Sequence, residues 1–351
     1  MRVSYNKLWK LLIDKNMKKG ELRDAIGASK STFAKLGKNE NVTLPVLLEI
    51  CEYLNCDFGD IMEALPDKVN KECEAIYMSR KRLTQVFPFL LPFRKWQRKK
   101  LFYLKMQLDG NKYAKKTSEN LLPNTVFETS SLMLNENSGF DIKYQINKVH
   151  NLKLAAKTIN KVIIEPNETF SFWQLVRWAD HHEKYKDGLN LVDGKIVGSY
   201  GGGLCQLSNM LFWLFLHTPL TVVERHGHAV ESFPSTTENL PCGTDATINE
   251  GWLDLKIRND TDNTFQIEIS FDDKYMYGRI LSQSSVNIEY TVFNSSVSYF
   301  KREEKIYQIA SVCRTEKDKM TGRQTEKELY VNQCEIAYKL PDDIKIEERG
   351  V

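Results

Sequence analysis

Three consecutive glycines lead directly into a nearly continuous apolar run. The stretch Gly201-Gly202-Gly203-Leu204-Cys205-Gln206 opens residues 204–216, where only Gln206, Ser208 and Asn209 are clearly polar, and Pro219 closes it. A helix apolar on almost every side is stable only inside a core, so the chain has to build one around this segment. The glycines permit backbone conformations closed to other residues and keep side chains away from the approach to Cys205. Cys205 then stands in the first turn of a buried helix, where unpaired amides and the helix dipole favour a thiolate. Its own N–H is placed to donate to a developing oxyanion.

Two further motifs follow, Arg225-His226-Gly227-His228 and Gly243-Thr244-Asp245-Ala246-Thr247. Residues 220–224 alternate as a strand, and if it continues His226 and His228 point the same way. Either histidine can accept the Cys205 proton, with His228 preferred and His226 a near alternative because Gly227 lies between them. Asp245 would hold the chosen ring in its useful tautomer. This set needs no cofactor. Two alternatives stay open: zinc held by Cys205, His226 and His228 with Asp245 or Cys242, and a structural or ligand-binding site, since buried cysteines and bonded histidines are common in cores.

The neighbouring segments supply the frame. Residues 151–160 read as a short helix, and Ser171 with Gln174 forms a capping box for a helix over 172–179. Asp193-Gly194 suits a type I′ turn in a hairpin over 190–197. Residues 254–258, 265–271, 286–292 and 332–340 read as strands of a scaffold, with a charged turn at Glu316-Lys317-Asp318-Lys319.

The first 65 residues have a different pattern. Leu8, Leu11, Leu12 and Ile13 sit at helical spacing; Leu22, Ala25 and Ile26 form a short second helix ended by Gly27; Ser29 caps a third; residues 44–54 make a fourth and 58–64 a fifth. Glu21-Leu22-Arg23-Asp24-Ala25-Ile26-Gly27, Ser29-Lys30-Ser31-Thr32-Phe33-Ala34-Lys35-Leu36 and the run from Leu47 to Leu54 resemble the Cro and phage-repressor type of helix-turn-helix across residues 3–65. That resemblance implies a third helix in the major groove, with Ser29, Lys30, Ser31, Thr32 and Lys35 facing bases and phosphates and Lys18, Lys19 and Lys38 on phosphates. The recognition helix lacks the Gln or Arg of bidentate base contacts, a weakness that homodimerisation would offset. A module for protein contact is the alternative.

Charge supports a polyanionic partner. Residues 1–38 hold ten Lys/Arg against three acids, and residues 80–116 hold twelve against Asp109 alone. Within the second zone, residues 94–106 read as a basic helix anchored by Trp96, Phe102, Tyr103 and Met106, with Pro88 and Pro92 at its entrance. Such a helix can pack on the next domain, reinforce DNA binding or lie on an anionic membrane. The seven cysteines are scattered without a CxxC, which argues against a disulfide scaffold and fits a reducing cytosol. No signal peptide is evident and the apolar run at 210–216 is too short to span a bilayer, so a cytoplasmic protein is expected.

Gly201-Gly202-Gly203-Leu204-Cys205-Gln206-Leu207-Ser208, the block ending in His226-Gly227-His228, Gly243-Thr244-Asp245-Ala246-Thr247, the run from Leu253 to Asp262 and the upstream Glu168-Thr169-Phe170-Ser171-Phe172-Trp173 together resemble the VanW family over about residues 80–285. The expected fold is multidomain, an all-α helix-turn-helix bundle followed by an α+β VanW-like domain with a β-rich C-terminal part. Boundaries are expected at 1–65 for the DNA-binding module, 66–120 for a linker and basic helical segment, 121–285 for the VanW-like domain and 286–351 for the extension. The first functional reading is a transcriptional regulator whose VanW-like domain senses a small molecule or partner. The second is a thiol-dependent acyl- or amide-processing enzyme using Cys205, His228 and Asp245; the third is a zinc-binding or structural domain.

Overall fold

A computed structural model describes residues 2–15, 17–65, 89, 91–134, 140–192, 195–231, 240–341 and 344–348. The proline junction at 66–68, Pro88, the polar loop at 135–139 and the Asp193-Gly194 turn lie outside the described residues. The chain divides into two compact units, residues 1–91 and 92–351.

The first unit runs β1 (Arg2–Ser4), α1 (Asn6–Asp14), α2 (Lys19–Ala25), α3 (Lys30–Gly37), α4 (Leu44–Leu54), α5 (Phe58–Ile61) and β2 (Glu63–Leu65). Leu8, Leu12, Leu22, Leu36, Leu47, Ile50, Leu54 and Ile61 meet in one core, as their helical spacing requires. Gly27 turns the chain between α2 and α3 at φ +62°, and the Ser29 hydroxyl accepts from Thr32 N–H at 3.1 Å to cap α3. Within this helical unit the fifth helix is shorter than its predicted span of 58–64. The fifth helix stops at Ile61 because Met62 is extended, and Glu63–Leu65 pair antiparallel with Arg2–Ser4, satisfying backbone groups that a frayed helix would leave bare.

The second unit opens with α6 (Leu91–Leu108), β3 (Lys112–Tyr113), β4 (Asn124–Leu132), α7 (Ile142–Ile159), β5 (Ile163–Ile164), β6 (Glu168–Ser171) and α8 (Phe172–Val176). It continues through the hairpin β7 (Asp187–Val192) and β8 (Lys195–Tyr200), then α9 (Cys205–Leu216), β9 (Thr221–Glu224), β10 (Val230–Glu231), β11 (Lys256–Arg258), β12 (Phe265–Phe271) and β13 (Tyr275–Ser282). Long strands β14 (Ile288–Arg302), β15 (Lys305–Asp318) and β16 (Gln324–Ile336) and the short β17 (Ile346–Glu348) finish it. Among the described residues the unit has, besides the two-stranded β7-β8 hairpin, three larger sheets, ordered β3-β6-β11-β9, β4-β13-β12-β5 and β10-β16-β15-β14-β17. This is the expected α+β unit with a β-rich C-terminal part.

Helix α9 lies at its centre. Leu207, Leu211, Phe212, Leu214, Phe215 and Leu216 are buried with residues from all three sheets, including Ile257, Met276, Ile280, Val292 and Val312. Each such side chain contributes about 1.5–3 kcal/mol by leaving water. Strand β13 comes so near the helix that a Cβ on Gly278 would stand 2.7 Å from Leu214. Tyr103 and Met106 of α6 join the same core.

Several predicted bounds shift. Helix α7 begins nine residues before 151, at Ile142, because Asp141 caps it by accepting from Lys143 N–H at 2.9 Å; its polar first half hid the period. Helix α8 ends at Val176, although Ser171 does cap it. The charged run 316–318 stays in β15, and the turn follows it. Among the described residues, no helix is long and apolar enough to cross a membrane.

The glycine turn has a steric cause of its own. The Asn151 Nδ2 donates to the Lys186 and Gly202 carbonyls at 2.9 and 3.0 Å, drawing hairpin and turn together. Gly202 and Gly188 then meet backbone to backbone, and a Cβ on Gly202 would lie 2.3 Å from Gly188. Gly203, at φ +92°, faces the Lys148 side chain. Gly202→Ala should therefore destabilise the second unit by roughly 1–3 kcal/mol or more, read as a lowered midpoint in chemical denaturation; an unchanged midpoint would contradict the close approach.

Candidate functional site

The site forms where three segments converge on the start of α9. Cys205 is the first residue of that helix and is half-buried. After β9 the chain leaves its strand, so residues 225–228 are irregular until β10 pairs in parallel with the end of β16. This departure separates the two histidines. The His228 ring is near enough to the Cys205 thiol to stabilise its anion and places Nδ1 2.5 Å from Asp245 Oδ2, while the thiol itself points to the Ile248 carbonyl at 4.0 Å. The same oxygen accepts from the His228 backbone N–H at 2.6 Å. His226 instead places Nε2 3.1 Å from Glu224 Oε1. The structure thus brings Cys205, His228 and Asp245 together and leaves His226 outside, because the strand that would have aligned both rings ends at Glu224.

Asp245 is held from its other side by Arg225. This guanidinium donates to Asp245 Oδ1 at 2.7 Å, the Asp245 carbonyl at 2.6 Å, the Gly243 carbonyl at 2.7 Å and Asn332 Oδ1 at 2.9 Å. Asn332 lies on β16, and the Tyr330 hydroxyl from the same strand donates to the Gly243 carbonyl at 3.0 Å. Gly227 and Gly243 leave room for Asn332, since a Cβ on either would come within 2.4 to 2.6 Å of its side chain. The C-terminal strands, read from the sequence as scaffold, therefore supply positioning residues.

The polar exceptions of α9 are latches. Ser208 Oγ donates to the Ala246 carbonyl at 2.6 Å and Asn209 Oδ1 accepts from Ala246 N–H at 2.8 Å, which fixes the loop carrying Asp245 to the helix carrying Cys205. Gln206 donates to Ser131 Oγ and the Leu132 carbonyl at 2.8 and 2.7 Å, tying the helix start to β4. Arg225, Asn332, Ser208 and Asn209 were not assigned site roles from sequence. Polar residues inside an otherwise apolar helix were the available signal for the last two; nothing local marks Asn332.

Charge balance follows from these contacts. Burial pushes the Cys205 thiol up, but the hydrogen bond and charge of His228, with the Ile248 backbone and Thr247, outweigh it and hold the thiol below its ordinary range. Burial disfavours the His228 cation, yet Asp245 and Cys205 raise it to about 10. Burial also opposes ionised Asp245, which His228 and Arg225 nonetheless keep below the usual carboxylate range. Both shifts favour charge separation between Cys205 and His228, and His228 is 27% exposed, so solvent reaches it. Beside the glycine turn, Tyr144, Asn147, Tyr185, Lys186 and Asp187 help line an open groove of about 620 Å³.

The zinc arrangement is not assembled. His226 is turned to Glu224, and no group of three or more His, Cys, Asp or Glu able to hold a metal occurs among the described residues. Cys242 is bound through its backbone to Asn294.

In the first unit, Lys18, Lys19, Lys30, Lys35 and Lys38 are exposed, as are Ser29 and Ser31. The hydroxyls of Ser29, Ser31 and Thr32 are partly engaged with one another at 2.7 and 2.9 Å. Lys19 of α2 lies over the Trp9 ring at 3.9 Å, and Lys30 and Lys35 are the cations of α3.

Comparison with known proteins agrees with both parts. The VanW-like protein family matches residues 147–281, and the Cro/C1-type helix-turn-helix DNA-binding domain matches residues 7–67. The chain is 50% identical over 272 residues to the vancomycin B-type resistance protein VanW of Enterococcus faecalis, covering 77% of this chain and 99% of that one. It is 37% identical over 110 residues to the Bacillus subtilis protein YoaR, covering 31% of this chain and 35% of that one. The crystal structure of transcriptional regulator VanUg (form II) is similar over 19% of this chain and 88% of its own, at 85% identity and a TM-score of 0.19.

Because the thiol is lowered by His228, iodoacetamide should alkylate Cys205 with a rate already near its plateau below the ordinary thiol pKa of about 8.5. In His228→Ala the largest influence opposing burial is lost, and the inflection should move up. Following Cys205 labelling by peptide mass spectrometry across pH tests this; equal inflections in the two proteins would rule the pair out.

Proposed function

The chain belongs to the VanW family, and from that premise we propose that its second unit is a thiol-dependent catalyst of acyl transfer from amides. The observation that carries this reading is the His228 ring, placed 2.5 Å from Asp245 and acting on the Cys205 thiol at the head of α9. Cys205 is the nucleophile. Its thiolate adds to the carbonyl carbon while negative charge gathers on the carbonyl oxygen beside the Cys205 backbone N–H, since the amides of Gln206 and Leu207 are already bonded to the Gly203 and Leu204 carbonyls. The His228 imidazolium gives its proton to the leaving amine as the carbon–nitrogen bond breaks, leaving a thioester on Cys205. Neutral His228 then takes a proton from an incoming amine or water as that nucleophile adds to the thioester, and cleavage of the carbon–sulfur bond releases the acyl group and restores the thiolate and imidazolium. Asp245 keeps the Nδ1 proton in place throughout, and Arg225 keeps Asp245 ionised.

A second reading rests on the helix-turn-helix match at residues 7–67. In it the first unit binds DNA and the chain is a cytoplasmic transcriptional regulator, dimeric on its operator, with the Cys205 site serving as the sensor of a small molecule or partner. The two readings are compatible, since an acylated thiol is itself a signal.

Incubation with short peptide amides followed by intact-protein mass spectrometry should show an acyl adduct on Cys205 that hydroxylamine removes. Cys205→Ala should abolish adduct and turnover, and Asp245→Asn should lower turnover by roughly 10²–10⁴-fold. Absence of an adduct and of turnover across such peptides would sink the catalytic reading. For the DNA reading, Lys30→Ala with Lys35→Ala should flatten the plot of log affinity against log salt by roughly two units of slope; an unchanged slope would remove these lysines from the interface.

A further inference from the structure

Helix α6 buries little of its surface. Tyr103 and Met106 enter the core, Phe102 is half-buried, and Lys99 reaches Glu250 at 2.7 Å. Phe93, Trp96, Leu101, Leu104 and Leu108 stay in solvent, Trp96 at 55% and Leu108 at 76% exposure. Sequence reading made Trp96 a packing anchor; it instead stacks on Phe93, with ring centroids 5.9 Å apart. At 100° per residue these five side chains fall within an arc of about 140° that begins beside Tyr103 and lies away from Met106. They form an outward stripe that is mainly apolar, with Gln97, Lys100 and Gln107 inside the same arc.

Most of the other exposed side chains of this helix are cationic. Arg94, Lys95, Arg98, Lys99, Lys100 and Lys105 lie on it with no Asp or Glu between Leu91 and Leu108. Lys100 stands 5.9 Å from the Trp96 ring centre, and Arg98 lies 4.4 Å over Trp252, itself 58% exposed. Long basic side chains beside exposed aromatics and leucines suit the boundary between lipid headgroups and acyl chains.

We propose that α6 lays its outward stripe on an anionic lipid surface, with Phe93, Trp96, Leu101, Leu104 and Leu108 in the boundary layer and the surrounding cations on the headgroups. DNA would engage the lysines but has no use for five apolar side chains along one stripe. A second copy packed through this face would set two all-cationic helices against each other. Only an anionic apolar layer matches both properties, and helix length is no obstacle, since a helix lying in the interface does not need to span it.

The test uses the full chain and vesicles of phosphatidylcholine alone or mixed equally with phosphatidylglycerol. The protein should float with the mixed vesicles and not with phosphatidylcholine. Replacing Phe93, Leu104 and Leu108 together by Ser should weaken this partition about tenfold or more, as should replacing Arg94, Lys100 and Lys105 by Gln. All six positions are exposed, and an unchanged Cys205 alkylation rate would show that the second unit is intact. The proposal is overturned if the protein stays below the mixed vesicles. It is overturned equally if binding survives the serine variant, which would assign it to charge elsewhere. It also fails if that variant changes oligomeric state but not vesicle binding, or if the glutamine variant loses DNA affinity while flotation is unaltered.

Discussion

A helix with almost no polar side must be enclosed, and the second unit is arranged around that requirement. Strands β4 and β13 cover one side of α9, and residues from β11, β14 and β15 complete the enclosure. The few polar side chains of the helix cannot be left unpaired in such a place, since each buried hydroxyl or amide without a partner costs on the order of 1–3 kcal/mol. Ser208 and Asn209 find theirs on the backbone of Ala246, next to Asp245. Burying α9 and seating the carboxylate opposite Cys205 are therefore one event.

The carboxylate imposes the next constraint. An ionised Asp245 inside the protein is tolerable only if its oxygens are fully used, because an isolated buried charge costs several kcal/mol. Arg225 takes one oxygen while the His228 backbone and ring take the other. Arg225 in turn needs the Gly243 and Asp245 carbonyls and Asn332. The chain of compensation thus runs from the thiol through imidazole, carboxylate and guanidinium to a strand of the C-terminal sheet. Removing any member leaves a neighbour with an unmet charge or donor, so the members act as a unit.

Much of this was legible in order along the chain. The glycine turn, the apolar helix, the Asp245 motif and the capped helices of the first unit follow from local rules, and Leu8, Leu22, Leu36 and Ile50 are buried as their spacing implies. The misses share a cause. Strand β2 was read as helix because its pairing partner sits more than 58 residues away at β1. Trp96 was read as an anchor because an aromatic residue in an amphipathic helix does not reveal which of its apolar faces meets protein. Asn332 was invisible because an asparagine in a strand carries no local mark of the arginine it serves.

Residues near one another in the chain determined that there is a helix-turn-helix, that a thiol heads a buried helix, and that a histidine and an aspartate follow it, since spacing, caps and glycine conformations act over a few residues. Which histidine meets the thiol was decided elsewhere. The strand carrying both rings stops at Glu224, His226 pairs back onto that glutamate, and the parallel pairing of β10 with β16 draws the chain past His228. The end of that strand is set by its pairing with β11, and the pairing of Val230 with Glu335 lies on a sheet whose strands come last in the chain. Only the assembled fold has those contacts to offer.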